Sequence, residues 1–149
     1  MKIKEDKMSI KQLSIFAENK IGSICEITGI LLESGINIRA FSVADTQSYG
    51  VLRLIVDDPR NAAFKLSEAG KILHVTNVIG VMIPDREGGL DAILEILSEE
   101  NISVEYLYAF LAPTAGHAYV VLRVSDNEKT ERILKSRGVT LLTDEDLHK

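Results

Sequence analysis

Two loops in this chain carry residue types suited to gripping a small zwitterion. The first is Ala17-Glu18-Asn19-Lys20-Ile21-Gly22-Ser23-Ile24; the second is Pro84-Asp85-Arg86-Glu87-Gly88-Gly89-Leu90. In each, a short polar side chain (Asn19, Asp85) stands three residues before a glycine (Gly22, Gly88), and an apolar residue follows two positions later. Asn19 and Asp85 can accept hydrogen bonds from an ammonium group. The helix predicted after each glycine offers unpaired amides and the positive end of its dipole to a carboxylate. The glycine lets such a ligand approach the backbone closely. An ammonium and a carboxylate held together describe a free amino acid. Ordinary caps and turn residues are the plain alternative, and the recurrence of the pattern does not decide between them, because a shared fold would also preserve caps.

Other residues point to less. His74, His117 and His148 are scattered, and none pairs with Cys25 or a carboxylate cluster at metal-ligand spacing, so they read as surface or strand histidines. Cys25 falls between apolar positions of the first predicted helix and reads as a partly buried thiol. There is no glycine-rich phosphate loop and no combination of nucleophile, base and orienting group. No cofactor and no metal are expected. Arg53 and Arg123 read as solvated edge positions of strands. Tyr106, Tyr108 and Phe110 alternate on one strand and read as sheet packing at a domain interface. The acidic Thr143-Asp144-Glu145-Asp146-Leu147 stretch reads as a solvated terminal turn.

The elements that must position the two loops occur twice. Ile21 to Ile38 recurs as Glu87 to Val104, 66 positions on, and Val51 to Asp58 recurs as Tyr119 to Asp126, 68 positions on. The larger offset holds through Leu66 and Leu134 and through Gly70 and Gly138. A steady offset with one two-residue slip means two copies of one supersecondary unit, the second with a longer turn. In the first copy, Ile10 to Phe16 reads as a strand. A helix carrying Ile24, Ile27, Ile30 and Leu31 follows, with Ser23 and Glu26 at capping-box spacing and Gly35 closing it. Ile36 to Ala44 and Val51 to Val56 are strands around the polar turn from Asp45 to Gly50. Asp58-Pro59 starts a second helix with Ala62, Ala63, Leu66 and Ala69 on its buried stripe. Ile72 to Thr76 closes the copy.

Val78 to Ile83 opens the second copy. Its helices carry Leu90, Ile93, Leu94 and Leu97, then Ile133 and Leu134 behind Asp126. Its later strands are Ser103 to Phe110, Ala118 to Val124 and Val139 to Thr143. The predicted fold is therefore α+β, two tandem ferredoxin-like βαββαβ units, each an antiparallel four-stranded sheet with both helices on one face. The domains expected are residues 8–77 and 78–149. Residues up to Met8 read as a solvated extension.

The bulk properties narrow the partners. Units of about seventy residues bury only about 60% of their unfolded surface, so the halves are expected to pack on each other or on a second chain. The formal net charge of −5 argues against a nucleic-acid partner. No apolar run approaches the ~20 residues that span a bilayer, and the charged start does not resemble a signal peptide. A lone cysteine fits a reducing, cytoplasmic setting.

Asp85-Arg86-Glu87-Gly88-Gly89-Leu90 resembles the signature of the ACT domain: an acidic or amide residue, two variable positions, glycine, any residue, then leucine. Gly35-Ile36-Asn37-Ile38 is similar to that family's glycine-isoleucine-asparagine-isoleucine approach to the second strand. The resemblance covers the chain from Met8 in two copies. It implies small regulatory modules, often amino-acid-binding, that pair edge to edge into an eight-stranded sheet and hold their ligand at these loops near the interface of paired domains. Carried over residue by residue, it assigns Asn19, Ile21, Gly22 and Asn37 to a first site and Asp85, Gly88, Gly89, Leu90 and Ser103 to a second. The chain departs from the pattern at Asn19, where an acid is usual, at Ile21 and Glu87, where proline is common, and at Ser103, which replaces the asparagine found at Asn37; the two sites are therefore not expected to be equivalent. The implied function is a non-catalytic regulatory module for an amino acid, present as a homodimer and passing its state to a regulated enzyme or other protein, with no nucleic acid or membrane partner. A small enzyme on the same scaffold and a purely structural dimerisation module are the alternatives.

Overall fold

The computed structural model describes residues 9–45 and 48–147. The extension up to Met8, part of the first polar turn and His148 lie outside the described residues. The chain divides into two compact units, residues 11–76 and residues 77–147 together with 9–10. Each is described in turn.

The first unit contains β1 (Ser9–Glu18) from Lys11 onward, α1 (Ser23–Glu33), β2 (Ile38–Asp45), β3 (Tyr49–Val56) and α2 (Pro59–Glu68), and ends in the first residues of β4 (Leu73–Pro84). The strand order is β2-β3-β1-β4, with β3 antiparallel to both β1 and β2. Alternation along the strands turns Leu13, Ile15, Ala17, Leu52, Leu54 and Val56 to one face. There they meet Ile27 and Leu31 of α1 and Ala62 and Leu66 of α2 in one core. Both helices thus cover the same face, as the helical spacing of those four residues requires. Asp58 caps α2 by accepting from the Asn61 amide at 3.2 Å, and Pro59 fills the first helical position.

The second unit repeats the plan with α3 (Gly89–Glu99), β5 (Val104–Leu111), β6 (His117–Val124), α4 (Asn127–Ser136), β7 (Thr140–Leu142) and the single-turn α5 (Asp144–Leu147). Here β6 lies between β5 and β4, and β7 pairs with β4 through Gly80↔Leu142. Its core joins Ile79, Val81, Ile83, Val120, Leu122 and Val124 to Ile93, Leu97 and Leu134 of the helices. Asp126 caps α4 by accepting from the Lys129 amide at 3.1 Å. The two-residue slip in the repeat falls in the hairpin turn: residues 46–48 join β2 to β3, whereas 112–116 join β5 to β6. Both copies carry a bulge at the same place, between Ile38 and Ala40 on β2 and between Val104 and Tyr106 on β5. Arg39 and Glu105 are the extra residues.

Several expectations need correction. The strands expected at Ile72 to Thr76 and Val78 to Ile83 are one uninterrupted 12-residue strand, β4. Four of the five residues in Val75-Thr76-Asn77-Val78-Ile79 are β-branched and favour extended backbone, which outweighs the single turn-prone Asn77. Ser23 and Glu26 do not form a capping box. Gly22, in the left-handed conformation at φ 85°, is the N-cap of α1 and makes no side-chain cap bond; Ser23 becomes the first helical residue, and Glu26 turns to Lys71. A capping arrangement does occur at the other end of the chain, where the Asp146 carboxylate accepts from the Thr143 amide at 2.8 Å and the Asp146 amide donates to Thr143 Oγ1 at 3.4 Å. The acidic terminal stretch is a helical turn with Asp144 and Glu145 solvated, as expected, and with Leu147 buried, which was not. Cys25 is exposed, because it lies on the outer face of α1. Arg53 and Arg123 sit on strands flanked on both sides rather than on edges, and Arg123 meets Glu105 at 3.1 Å.

Candidate functional site

The β1–α1 loop of the first unit is built from a strand end, a left-handed glycine and a helix start. The Lys20 amide donates to the Glu18 carbonyl at 2.9 Å and the Glu26 amide to the Gly22 carbonyl at 2.9 Å, closing the turn and beginning the helix. The Ser23 amide donates to the Lys20 carbonyl at 3.3 Å; Gly22 has no side chain to cap the Ile24 and Cys25 amides, which are the donors left at the positive end of the helix. The turn between α2 and β4, Gly70-Lys71-Ile72, comes alongside. It is held there by the Phe16 amide, which donates to the Ile72 carbonyl at 2.9 Å.

Between these segments lies a cavity of ≈ 170 Å³ lined by Ala17, Glu18, Lys20, Ser23, Glu26, Ile27 and Lys71, with Phe16, Gly70 and Ile72 completing the wall. That is room for several waters or a small solute. Two ion pairs stand in its wall: Lys71 Nζ to Glu26 Oε1 at 2.8 Å and Lys20 Nζ to Glu18 Oε2 at 3.0 Å. Ser23 is only 7% exposed, and its Oγ is a buried hydroxyl with no hydrogen-bond partner. A buried hydroxyl left unsatisfied costs about 1–3 kcal/mol, and Ser23 Oγ has no partner within the protein, so the hydroxyl is free to bond a molecule in the cavity. Phe16 stacks on Tyr49 with ring centroids 4.5 Å apart at the same end of the sheet.

Lys71 holds the Glu26 carboxyl below its ordinary value of 4.5, first by the hydrogen bond and then by its charge. Glu18 raises the Lys20 ammonium in the same two ways. A carboxyl whose value falls on folding contributes stability that is present above its unfolded value and is lost as pH falls through the folded one. In a carbon-detected titration the Glu26 carboxyl is therefore expected to reach its midpoint below 4.5, and to move up toward that value in Lys71→Met. Identical midpoints in the two proteins would show that the ion pair does not form in solution.

None of the residues assigned to the first site from sequence lines the cavity; Gly22 caps the helix whose first residue, Ser23, does. Asn19 and Ile21 are on the same loop, and Ile21 is fully exposed at its crest. Asn37 is not brought to it within this unit: it follows the far end of the eleven-residue α1, where its amide donates to Asp57 Oδ1 at 3.0 Å. Ser23, Glu26 and Lys71 were not assigned. Ser23 and Glu26 carried a capping signal instead, and no local signal connects Lys71 to a loop some fifty positions earlier.

In the second unit the loop has the same turn, with Gly88 as left-handed N-cap at φ 81° and the Arg86 amide donating to the Pro84 carbonyl at 3.0 Å. Its lining differs. Gly89 takes the place of Ser23, and the Pro84 carbonyl sits where a side chain on Gly89 would project. Asp85 and Leu90 are exposed on this loop. Ser103 lies beyond the far end of α3, where its carbonyl accepts from the Ser125 amide at 3.1 Å. Among the described residues no group of three or more His, Cys, Asp and Glu side chains is placed to hold a metal ion, and no helix is long and apolar enough to cross a membrane.

Residues 8–149 match the model of a family described as the ACT domain pair. The chain belongs to the ACT domain family. Among solved structures this ACT domain pair is similar to protein BT0572 from Bacteroides thetaiotaomicron, with 39% identity, coverage of 95% of this chain and 97% of that one, and a TM-score of 0.89. It shares its fold with the ligand-free regulatory subunit of aspartate kinase from Thermus thermophilus at 13% identity, coverage of 87% and 92%, and a TM-score of 0.63. The regulatory subunit of aspartate kinase from Thermus flavus is similar in fold at 14% identity, coverage of 84% and 88%, and a TM-score of 0.59. No curated protein matches this ACT domain pair.

Proposed function

We propose that this ACT domain pair is a non-catalytic regulatory module that binds a free amino acid at the β1–α1 loop of its first unit. The observation that carries the reading is the cavity beside Gly22, where a buried hydroxyl lacks a partner and charges of both signs line one small space. A zwitterion needs that combination. In the two Thermus proteins the same fold serves as a regulatory subunit, which suits a module whose occupancy is read by another protein or by a second copy of itself. Asn19, Ile21 and Gly22 belong to the loop that leads into the site and shape the backbone from which Ser23 and Lys20 reach the cavity. Asp85, Gly88, Gly89 and Leu90 form the corresponding loop of the second unit, which lacks the hydroxyl and is the weaker candidate. Regulation follows if the ligand binds one assembly better than another, since occupancy then shifts the balance between them.

Thermal denaturation in the presence of each of the twenty amino acids tests this directly. A ligand at a hundredfold excess over Kd adds about 2.7 kcal/mol. At least one amino acid is expected to raise Tm, with the rise abolished in Gly22→Asp and retained in Gly88→Asp. Absence of any shift, with calorimetry in agreement, rules out amino-acid binding. A shift that survives Gly22→Asp would place the ligand elsewhere.

A further inference from the structure

Four charged side chains line the cavity of the first unit, and they cancel. Glu18 is paired with Lys20 and Glu26 with Lys71, so the wall carries two positive and two negative groups and no residual charge. The second pair is the more informative. Its members are 45 positions apart in sequence, and the contact ties the α2–β4 turn to the first turn of α1 across the mouth of the cavity. The Lys71 side chain is 20% exposed and the Glu26 side chain 57%, so the lysine is covered while the carboxylate reaches solvent and can exchange its partner. Beside it stands the one buried side-chain hydroxyl of the wall, Ser23 Oγ, still without a partner.

The second unit repeats the loop without this equipment. By the offsets of the repeat, the counterparts of Ser23, Glu26 and Lys71 are Gly89, Ala92 and Val139. The backbone is the same at all three: Lys71 donates its amide to the Leu66 carbonyl and Val139 donates its amide to the Leu134 carbonyl, each at 3.0 Å. The fold therefore does not need a lysine, a glutamate or a hydroxyl at these positions. Their presence together in one copy alone needs another reason.

Resting on the amino-acid reading above, we infer that Lys71 and Glu26 are the specificity-determining pair of this site, opened by the ligand and rebuilt around it. Lys71 Nζ turns from Glu26 to the ligand carboxylate, which also accepts from Ser23 Oγ, at the positive end of α1. The Glu26 carboxylate turns to the ligand ammonium. Each protein charge exchanges one partner for an equivalent one, so a zwitterion leaves the wall as neutral as it found it. A ligand lacking the ammonium or the carboxylate breaks the Lys71–Glu26 contact without replacing it on one side, and the loss is felt most at Lys71, the more covered partner. The apolar floor of Ala17 and Ile27 and the volume of ≈ 170 Å³ match a short, uncharged side chain. The class of ligand is thus a small neutral α-amino acid.

Titration calorimetry on the full chain tests the pair, with glycine, L-alanine and L-serine as probes and L-aspartate, L-lysine, alaninamide and N-acetylalanine as charged controls. The wild type is expected to bind at least one of the three probes about tenfold or more tighter than any control. Lys71→Met is expected to weaken that probe by about tenfold or more, Glu26→Gln by several-fold, and Lys71→Arg much less than Lys71→Met. Wild-type affinity in Lys71→Met overturns this inference while leaving amino-acid binding intact. So does equal affinity for L-alanine and N-acetylalanine. If the wild type binds none of the twenty amino acids, both this inference and the reading beneath it fail. Should Lys71→Met not fold, the wild type supplies the answer by itself. The Lys71 15Nζ and Glu26 carboxyl resonances are expected to move on saturation with the bound probe, and resonances that stay in place overturn the inference.

Discussion

Ile27→Ala is expected to destabilise the first unit by about 2–5 kcal/mol, the range for removing the bulk of a fully buried isoleucine. Ile27 is 1% exposed and packs in one core with Leu13, Ile15, Leu31, Leu52, Leu54 and Leu66. Its neighbours belong to two helices and two strands, so the gap cannot close by the movement of any one of them. Because Ile27 is also the floor of the cavity beside Gly22, the truncation deepens that cavity as well as weakening the core. Urea unfolding gives the first effect: a loss below about 0.5 kcal/mol would mean that α1 does not pack as described. The second effect appears as a relaxed preference among bound amino acids, with longer apolar side chains gaining on short ones.

Gly89→Ala is expected to cost about 1–3 kcal/mol, the usual cost of forcing atoms into filled space, although the change is a single methyl group. The backbone of Gly89 is not left-handed, so conformational strain is not the cause. A Cβ there falls on the Pro84 carbonyl oxygen, and that carbonyl is held in place by the Arg86 amide at 3.0 Å. Relief requires moving the strand end or the first turn of α3, each tied to the core of its unit through Ile83 or Ile93. Thermal unfolding with a Tm equal to wild type would show that the loop yields freely. The position is informative because its counterpart, Ser23, carries a side chain in the same turn. One copy keeps space and a hydroxyl beside the helix start; the other fills the space with its own backbone.

Most of the fold was legible in the sequence because it is written twice and in local signals. Asp58-Pro59 and Asp126 mark helix starts by capping chemistry that needs no tertiary partner, and they cap as expected. The helical spacing of Ile27, Ile30 and Leu31 places those residues correctly against one face. The failures are of another kind. Ser23-x-x-Glu26 has capping-box spacing, but Gly22 takes the cap position and Lys71 offers Glu26 a full charge. Arg53 and Arg123 look like edge residues because a charge in a strand is usually solvated, yet strand order is a non-local property that no window of residues contains. In the terminal turn the acids are solvated as their composition suggests, but the burial of Leu147 depends on packing that composition does not show.

The candidate site was half legible. The loops at Gly22 and Gly88 were identified by the pairing of a short polar residue with a glycine, and the cavity lies at the first of them. Its chemical equipment was not, since Lys71 reaches it from the α2–β4 turn. Asn37 and Ser103, assigned through family resemblance, sit at the opposite ends of α1 and α3 within their units.

The matched bulges at Arg39 and Glu105 have a consequence for how such a gene can change. In each copy one supernumerary residue sets the parity of everything that follows on the outermost strand, so that Phe41, opposite Leu54, points to the same side as Ile38, opposite Val56. Losing that single codon, or gaining another nearby, would turn the remainder of the strand inside out. The doubled chain is therefore far more open to drift by replacement than to drift in length along these two segments, while the hairpin tips that follow them have already absorbed a two-codon difference between the copies.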